Sequence, residues 1–420
     1  MTSHLAHRNL LPDPTGPARE PETPHDPAPR HGAAFWLYCG HLVALFGLAL
    51  SNVVLGMALL ASPFRRPLRA LGAPRYRPVL LAVCTYTMLL LLSVAASFQP
   101  RVSADQLGEV FNLATLLLCL LLVEGERQVR LAIDGVLLLA TAESLIGVVQ
   151  YLALGGADLS QRIHGSFSHY MTFSGILMLA DLLLCAELSA GRRIGGWRWV
   201  ALVPINLALV ASLTRSAWVG VAAGFLILLV LGRRRLRMAA AGAALAGILL
   251  LSQGPVADRM SSIVELSDPT NYDRLAMAWA GLHMIADRPI LGQGPGMVAE
   301  RYPLYRHPTA PRHWVPHLHD SFLQVAAERG LPSLLALLAL FTVSIPRAAT
   351  LFRRGGARQG PRADLYVGVL AALGGFLVAG LFEDNWDDTE VQRVVLFLLA
   401  IPFCLGEGEE EGPEDAGVEA

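Results

Sequence analysis

The chain has 420 residues, of which 54% are hydrophobic and only 16% are charged. Water-soluble domains carry about 25% charged residues, so this composition excludes an ordinary soluble enzyme. The formal net charge is −1, and nothing in the composition points to nucleic acid as a partner. Every basic residue other than histidine is arginine, which excludes mechanisms that need a Schiff-base lysine or a P-loop lysine.

In chain order, the sequence divides into two polar tails, two groups of apolar segments and one long segment between them. Residues 1–32 are rich in proline and predict a disordered tail. Apolar runs fill residues 33–252 and 331–406, and residues 407–420 form an acidic tail. The segment 253–330 lacks such runs over most of its length and is the one sizeable extramembrane piece that we predict.

The apolar runs predict an all-α polytopic membrane protein, because a helix of about 20 apolar residues crosses the ~30 Å hydrocarbon core. We expect about twelve transmembrane helices. The count is 11 or 12, because residues 33–61 could form one tilted helix or two short ones. With twelve helices, both tails are cytoplasmic.

Arginine placement predicts the orientation of the chain. Four loops are rich in arginine and fall on one side of the predicted bundle: 62–78, 191–198, 233–237 and 351–364. Short cytoplasmic loops carry an excess of positive charge, so this side is predicted to be the cytoplasm. The segment 253–330 then lies on the opposite side.

Two helices are predicted within 253–330. The sequence from Thr270 to Asp273 resembles a capping box, and the helix that follows should run to Asp287 and stop at Pro289. Its apolar residues share one face at helical spacing: Leu275, Trp279, Leu282 and Ile285. A second helix is predicted at about 320–329, ending at Gly330.

Three ionisable residues at this outer boundary are the main candidates for chemistry. Arg215 lies in a turn between two apolar runs, and Arg274 opens the first helix of the loop. His319 precedes the second helix, whose positive end favours a neutral imidazole that can accept a proton. The acidic neighbour Asp320 would favour the charged form, so the protonation state of His319 is left open.

Weaker candidates surround these three. His164, His169 and His317 lie in loops on the same side and are possible substrate-binding residues, as is Arg162. The acidic residues of 383–388 could hold a divalent ion, although a solvated acidic loop is the favoured interpretation. The histidine spacing does not favour zinc, and we expect neither a metal nor another cofactor. The glycines of 292–296 predict a turn with close backbone approach.

Five segments together resemble the bacterial O-antigen ligase and polymerase superfamily. The histidine signature of that superfamily is similar to His319-Asp320 together with the Gly-Leu-Pro-Ser sequence that begins at Gly330. The corner Thr214–Trp218, the helix start Arg274–Trp279, the turn Asp287–Gly296 and the segment Arg162–Phe173 resemble its other motifs. The resemblance covers roughly residues 80–400.

The resemblance implies an inverting, metal-independent membrane glycosyltransferase in the bacterial inner membrane, with its active site facing the periplasm. The donor would be a glycan on undecaprenyl diphosphate, and the acceptor a hydroxyl of lipid A-core or of another glycan. In this scheme Arg215 and Arg274 bind the diphosphate, and His319 is the catalytic base.

Several alternatives remain open at this point. Within the same chemistry, the protein could be an O-antigen or exopolysaccharide polymerase, or could transfer an oligosaccharide to protein. Twelve spans also fit a membrane transporter, although no inverted repeat is visible. A purely structural membrane protein is the last alternative.

Overall fold

The computed structural model describes the parts of the chain that carry most of the predicted elements. The described residues are 32–62, 71–156, 161–190, 196–232, 268–356, 360 and 362–405. These residues form helices and contain no β-strand, which confirms the all-α prediction. The predicted N-terminal tail up to residue 31, the predicted span 238–252 and the whole acidic tail 407–420 lie outside the described residues.

The α-helices of the described chain are α1 (Ala33–Val43), α2 (Leu48–Ala61), α3 (Arg77–Ala95), α4 (Pro100–Ala104), α5 (Gly108–Leu122), α6 (Gly125–Ala153), α7 (Tyr170–Ala190), α8 (Gly196–Ala211), α9 (Arg215–Leu231), α10 (Pro269–Asp287), α11 (Val298–Tyr305), α12 (Ser321–Arg329), α13 (Leu331–Arg354), α14 (Ala363–Ala379) and α15 (Thr389–Cys404).

Five helical segments in the described chain are long and apolar enough to cross a membrane: Pro74–Ala95, Pro100–Leu122, Gly125–Ala153, Tyr170–Glu187 and Leu331–Arg354. Several shorter apolar helices accompany them, among them α8, α9 and α14. The protein is therefore a helical membrane protein, and the count of twelve spans stays a prediction.

The region 33–61 forms two helices. A short 3-10 turn (Ala44–Phe46) follows α1, and Gly47 then adopts an extended conformation as the N-cap of α2. With 11 and 14 residues, α1 and α2 are about 16 and 21 Å long, which is less than the hydrocarbon thickness. Neither helix alone is long enough to cross a full bilayer. The break at Gly47 therefore gives two short helices in place of one long span.

The core of the bundle is built on α7, α9, α14 and α15. Nearly every side chain of α14 and α15 is buried. Glycines allow the closest approach between α9 and α14, because a Cβ added at Gly220 would lie 2.8 Å from the carbonyl oxygen of Gly375. Small residues at such crossings let helices pack backbone to backbone within a membrane.

A cluster of ion pairs connects α6 to α14 at one end of this bundle. The guanidinium of Arg130 binds both carboxylate oxygens of Asp364 at 2.6 and 2.9 Å, and Nε donates to Glu126 at 2.7 Å. Asp364 lies in the first turn of α14, next to the arginine-rich loop that we predict to be cytoplasmic. The other end of α14 therefore lies across the bundle from this cluster.

The described part of the segment 253–330, which we predict to be extramembrane, contains three helices rather than two. The first predicted helix is confirmed as α10, which ends at Asp287, and the second as α12. The additional helix α11 was not predicted. The three helices share a small apolar core, made of Met277, Ala280, Met284, Val298, Tyr302, Val315, Leu318 and Ala327.

The predicted capping box at Thr270 is wrong. Asp268 is the N-cap of α10, and its carboxylate accepts hydrogen bonds from the backbone N–H groups of Thr270 and Asn271. Pro269 occupies the first helical position, where its missing N–H costs nothing and its fixed φ suits the helix. Asp268 and Pro269 together therefore start the helix earlier than the capping-box pattern indicates.

Candidate functional site

Arg215 is placed by the corner between α8 and α9. Leu213 has a φ of +52°, and the chain then turns so that Arg215 begins α9 with its side chain 4% exposed. The Nη2 group donates to Oδ1 of Asn271 at 2.9 Å, and Nη1 lies 3.6 Å from Oδ1 of Asp268. The corner motif therefore contacts the start of α10.

Arg274 is positioned by α10. Met277, Ala280 and Met284 of the same helix are buried in the small apolar core shared with α11 and α12, which fixes the rotation of α10 about its axis. The Nη2 group of Arg274 lies 3.5 Å from Oε2 of Glu383, a longer separation than in a typical charge-assisted hydrogen bond.

His319 lies one residue before the N-cap of α12 and has a φ of +54°. Leu213 and His319 are the two non-glycine residues with positive φ among those described. Such left-handed conformations are uncommon outside glycine, and they cluster at functional sites. Both lie at corners that present a candidate residue.

Glu383 was considered from sequence only as one of the acidic residues that could hold a divalent ion, and its contact with His319 was not predicted. Its Oε1 lies 2.8 Å from Nδ1 of His319. A carboxylate can only accept hydrogen bonds, so Nδ1 of His319 carries the proton and Nε2 is left as the basic atom. This arrangement is the base–orienter pair that acid–base catalysis requires.

The loop after α14 is not the solvated acidic loop that we favoured from sequence. Glu383 is 1% exposed and Asp384 is 7% exposed. The backbone carbonyl of Glu383 accepts a hydrogen bond from Ser321 Oγ at 3.0 Å, which ties the loop to α12. Burial raises the pKa of the Glu383 carboxyl, but the hydrogen bond from His319 and the nearby positive groups outweigh it and lower that pKa overall.

Asp320 does not compete for His319, because its carboxylate caps α12. Its Oδ1 accepts hydrogen bonds from the backbone N–H groups of Phe322 and Leu323, both at 2.9 Å. From its position beside the histidine in the sequence, Asp320 was expected to favour the charged form of His319. The structure instead gives Asp320 the ordinary role of an N-cap.

A polar cavity of about 430 Å³ collects most of the predicted site residues. The predicted residues that line it are Arg162, His169, Arg215, Arg274, His317 and His319. Glu383 and Arg312 also line it. His164 does not: its Nδ1 lies 2.7 Å from the backbone carbonyl of Phe167, and its side chain lines neither of the two cavities at this site.

A second cavity of about 390 Å³ shares Arg215, Ser216, Arg274 and His319 with the first. Its remaining lining is mainly apolar: Val219, Leu275, Ala278, Leu318, Leu381 and Phe382, with Asn271 and Asp320 as the polar members. The two arginines and the histidine therefore lie where a polar cavity meets an apolar one.

Three residues of the polar cavity could hold a metal ion. His317, His319 and Glu383 each offer one ligand atom, and these three atoms lie within 4.8 Å of one another. The guanidinium groups of Arg162 and Arg274 share the cavity and would repel a cation. Burial and the neighbouring His319 lower the pKa of His317 to about 4, so His317 is neutral near pH 7. The expectation of no metal stays a prediction.

The glycine-rich turn packs tightly against α12, as predicted. A Cβ at Gly292 would lie 2.3 Å from the backbone oxygen of Glu328, and Gly292 has a φ of +66°. The backbone N–H groups of Gln293 and Gly294 donate to the carbonyls of Ala327 and Glu328. The turn therefore supports the helix that follows His319 and does not bind phosphate through these two N–H groups.

The motif residues thus converge at one place, and comparison with protein families agrees with this arrangement. The family model described as O-antigen ligase matches residues 200–338, which include Arg215, Arg274 and His319. This match, over 200–338, supports the resemblance of the chain to the O-antigen ligase superfamily. Comparison with curated proteins gives no match. An O-antigen ligase family member is expected to be a membrane enzyme of the glycosyltransferase or ligase type.

Proposed function

We propose that the protein transfers a glycan from undecaprenyl diphosphate to an acceptor hydroxyl at the periplasmic face of the inner membrane. The favoured acceptor is lipid A-core, as in an O-antigen ligase. The observation that carries this proposal is the position of Arg215, Arg274 and His319 at the junction of a polar and an apolar cavity.

The junction matches the chemistry of a lipid-linked sugar. The diphosphate of such a donor lies between an apolar chain and a polar glycan, and so do the two arginines. Arginine presents a planar fork of N–H donors that suits phosphate oxygens. In the proposal, the apolar cavity takes the start of the polyprenyl chain, and the polar cavity takes the sugars.

Proton transfer follows from the His319–Glu383 pair. Nε2 of His319 takes the proton of the acceptor hydroxyl as its oxygen attacks the anomeric carbon. The bond between that carbon and the diphosphate oxygen breaks, and undecaprenyl diphosphate leaves with its negative charge bound by Arg215 and Arg274. Glu383 stabilises the imidazolium that forms, and attack opposite the leaving group inverts the anomeric centre.

Three further residues are assigned to substrate binding. Arg162 stacks on the ring of Tyr170 at 4.3 Å, and its buried Nε has no hydrogen-bond partner in the described chain. We assign Arg162 and His169 to sugar or phosphate oxygens in the polar cavity. His317, whose ring lies 4.2 Å from that of His319, is assigned to the acceptor side.

The test is transfer by the purified full-length protein in vesicles, supplied with undecaprenyl-diphosphate-linked glycan and lipid A-core. A positioned base contributes about 10²–10⁴-fold, so we expect His319→Ala to lose that much activity. His313→Ala is the matched control, because this exposed histidine is six residues away and lines neither cavity.

Three outcomes would revise the proposal. Activity in the His319→Ala variant would show that His319 is not the catalytic base. Loss of activity with a chelator and its return with Mg²⁺ would favour a metal at His317, His319 and Glu383. Elongation of the lipid-linked glycan without transfer to lipid A-core would identify a polymerase.

A further inference from the structure

Helix α10 has two apolar faces, and the protein covers one of them. Met277, Ala280 and Met284 are buried in the small apolar core that α10 shares with α11 and α12. This face accounts for the position of α10 within the protein. It leaves the other apolar residues of the helix to be explained.

The opposite face, which we call the outer face of α10, consists of Tyr272, Leu275, Trp279 and Leu282. These side chains are 41%, 57%, 47% and 59% exposed. The helix carries no charged residue between Arg274 and Asp287. A helix face that met water would ordinarily carry charged side chains, so this exposed apolar stripe indicates a contact.

The outer face continues onto the membrane-facing part of the protein. Leu275 and Ala278 of α10 line the apolar cavity together with Val219 of α9 and with Leu381 and Phe382, which follow α14. Leu381 and Phe382 are themselves 50% and 42% exposed. Since α9 and α14 are apolar helices of the bundle, the exposed stripe on α10 is continuous with exposed apolar residues at the end of the bundle.

The aromatic residues of the outer face favour the membrane interface over its interior. The ring of Trp279 lies 4.3 Å from that of His283 and 5.3 Å from that of His307, so one side of the indole meets polar groups. Tryptophan and tyrosine prefer the depth of the lipid headgroups, where one side of the ring is apolar and the other is hydrated.

We infer that the outer face of α10 lies in the periplasmic leaflet, at the boundary between lipid headgroups and acyl chains. The occupant of this face is phospholipid. Like other amphipathic interfacial helices, α10 lies along the surface of the bilayer and does not cross it.

One consequence rests on the proposed function. Arg274 immediately precedes Leu275, so the lipid contact sets the depth at which this arginine meets a lipid-linked diphosphate. The outer face also borders the mouth of the apolar cavity and would form one side of the opening by which a polyprenyl chain enters from the leaflet.

The experiment places a photoreactive diazirine amino acid at Leu282 of the full-length protein, in vesicles of phosphatidylethanolamine and phosphatidylglycerol. We expect phospholipid adducts at this position. The matched control is the same amino acid at Glu300, an exposed position of α11, where water should quench the carbene. Water addition at 282 equal to that at 300, or cross-links to a second copy of the chain, would overturn the inference.

A second measurement uses the natural tryptophan of the outer face as the probe. Lipids brominated near the headgroup should quench the fluorescence that Trp279 contributes, measured as the difference between the wild type and Trp279→Phe. Equal quenching of the two proteins would contradict the inference. Both measurements can be made in the His319→Ala variant, so a failed lipid contact is distinguishable from a failed catalytic proposal.

Discussion

Arg329 and Arg274 lie in neighbouring parts of the protein but in opposite environments. Arg329 is 1% exposed, and its guanidinium binds Asp387 at 2.7 Å, Glu109 at 3.0 Å and the hydroxyl of Tyr86 at 2.7 Å. Arg274 is 20% exposed and has a 3.5 Å contact with Glu383. One guanidinium is surrounded by short hydrogen bonds, and the other borders a cavity at longer range.

This difference is the one expected between a structural arginine and the ligand-binding arginine that we propose. Removing a buried, ion-paired charge leaves its partners uncompensated, which costs stability. A guanidinium with long contacts at the wall of a cavity keeps donors for an anion. Burial alone does not make this distinction, because Arg215 is also buried and lines both cavities.

The largest effect is expected at the structural site. Arg329→Met leaves Glu109 and Asp387 facing each other without a counter-charge, and should destabilise the protein by about 3–5 kcal/mol. Thermal unfolding in detergent measures this loss. The triple variant with Glu109→Gln and Asp387→Asn should recover part of it, and an unchanged unfolding temperature in Arg329→Met would show that the network is not structural.

Substitution of Arg274, which lines the cavity, should lower the activity and leave the folding of the protein unchanged. Arg274→Ala should lower kcat/KM about 10²–10³-fold, as expected when a preorganised donor to developing charge is removed, with little change in unfolding temperature. Arg274→Lys should recover little, because the bidentate fork is lost. Full activity of the lysine variant would mean that charge alone is sufficient.

A smaller effect is expected for Glu383→Gln. The amide cannot stabilise an imidazolium, so the rate should fall by roughly 10²-fold. A Glu383→Gln variant with the wild-type rate would remove Glu383 from the mechanism.

The Glu383→Gln variant also tests how the Glu383 carboxylate contributes to the stability of the fold. The pKa of Glu383 is lowered in the folded protein, so its carboxylate stabilises the fold above the unfolded value, near 4.3. This contribution is lost as the pH falls through the lower, folded value. The wild type should therefore lose more stability than Glu383→Gln on acidification to about pH 3.

The sequence predicted the features that depend on local chemistry. The ends of α10 and α12 follow from Pro289 and Gly330, and the motif arginines and His319 were identified by their spacing. It did not pair His319 with Glu383, because 64 residues separate them and an acidic cluster is typical of a solvated loop. Periodicity also placed Leu275 and Trp279 on one face of a helix, but periodicity does not specify what covers that face.

Gly330 is the single residue between α12 and α13, and a Cβ there would lie 2.1 Å from the carbonyl oxygen of Ile290. The nine residues of α12 therefore act as a spacer about 13 Å long between His319 and the bundle. Adding or deleting one residue in α12 would turn His319 by about 100° relative to Glu383. For this site, the number of residues between the histidine and the glycine matters more than the identity of most of them.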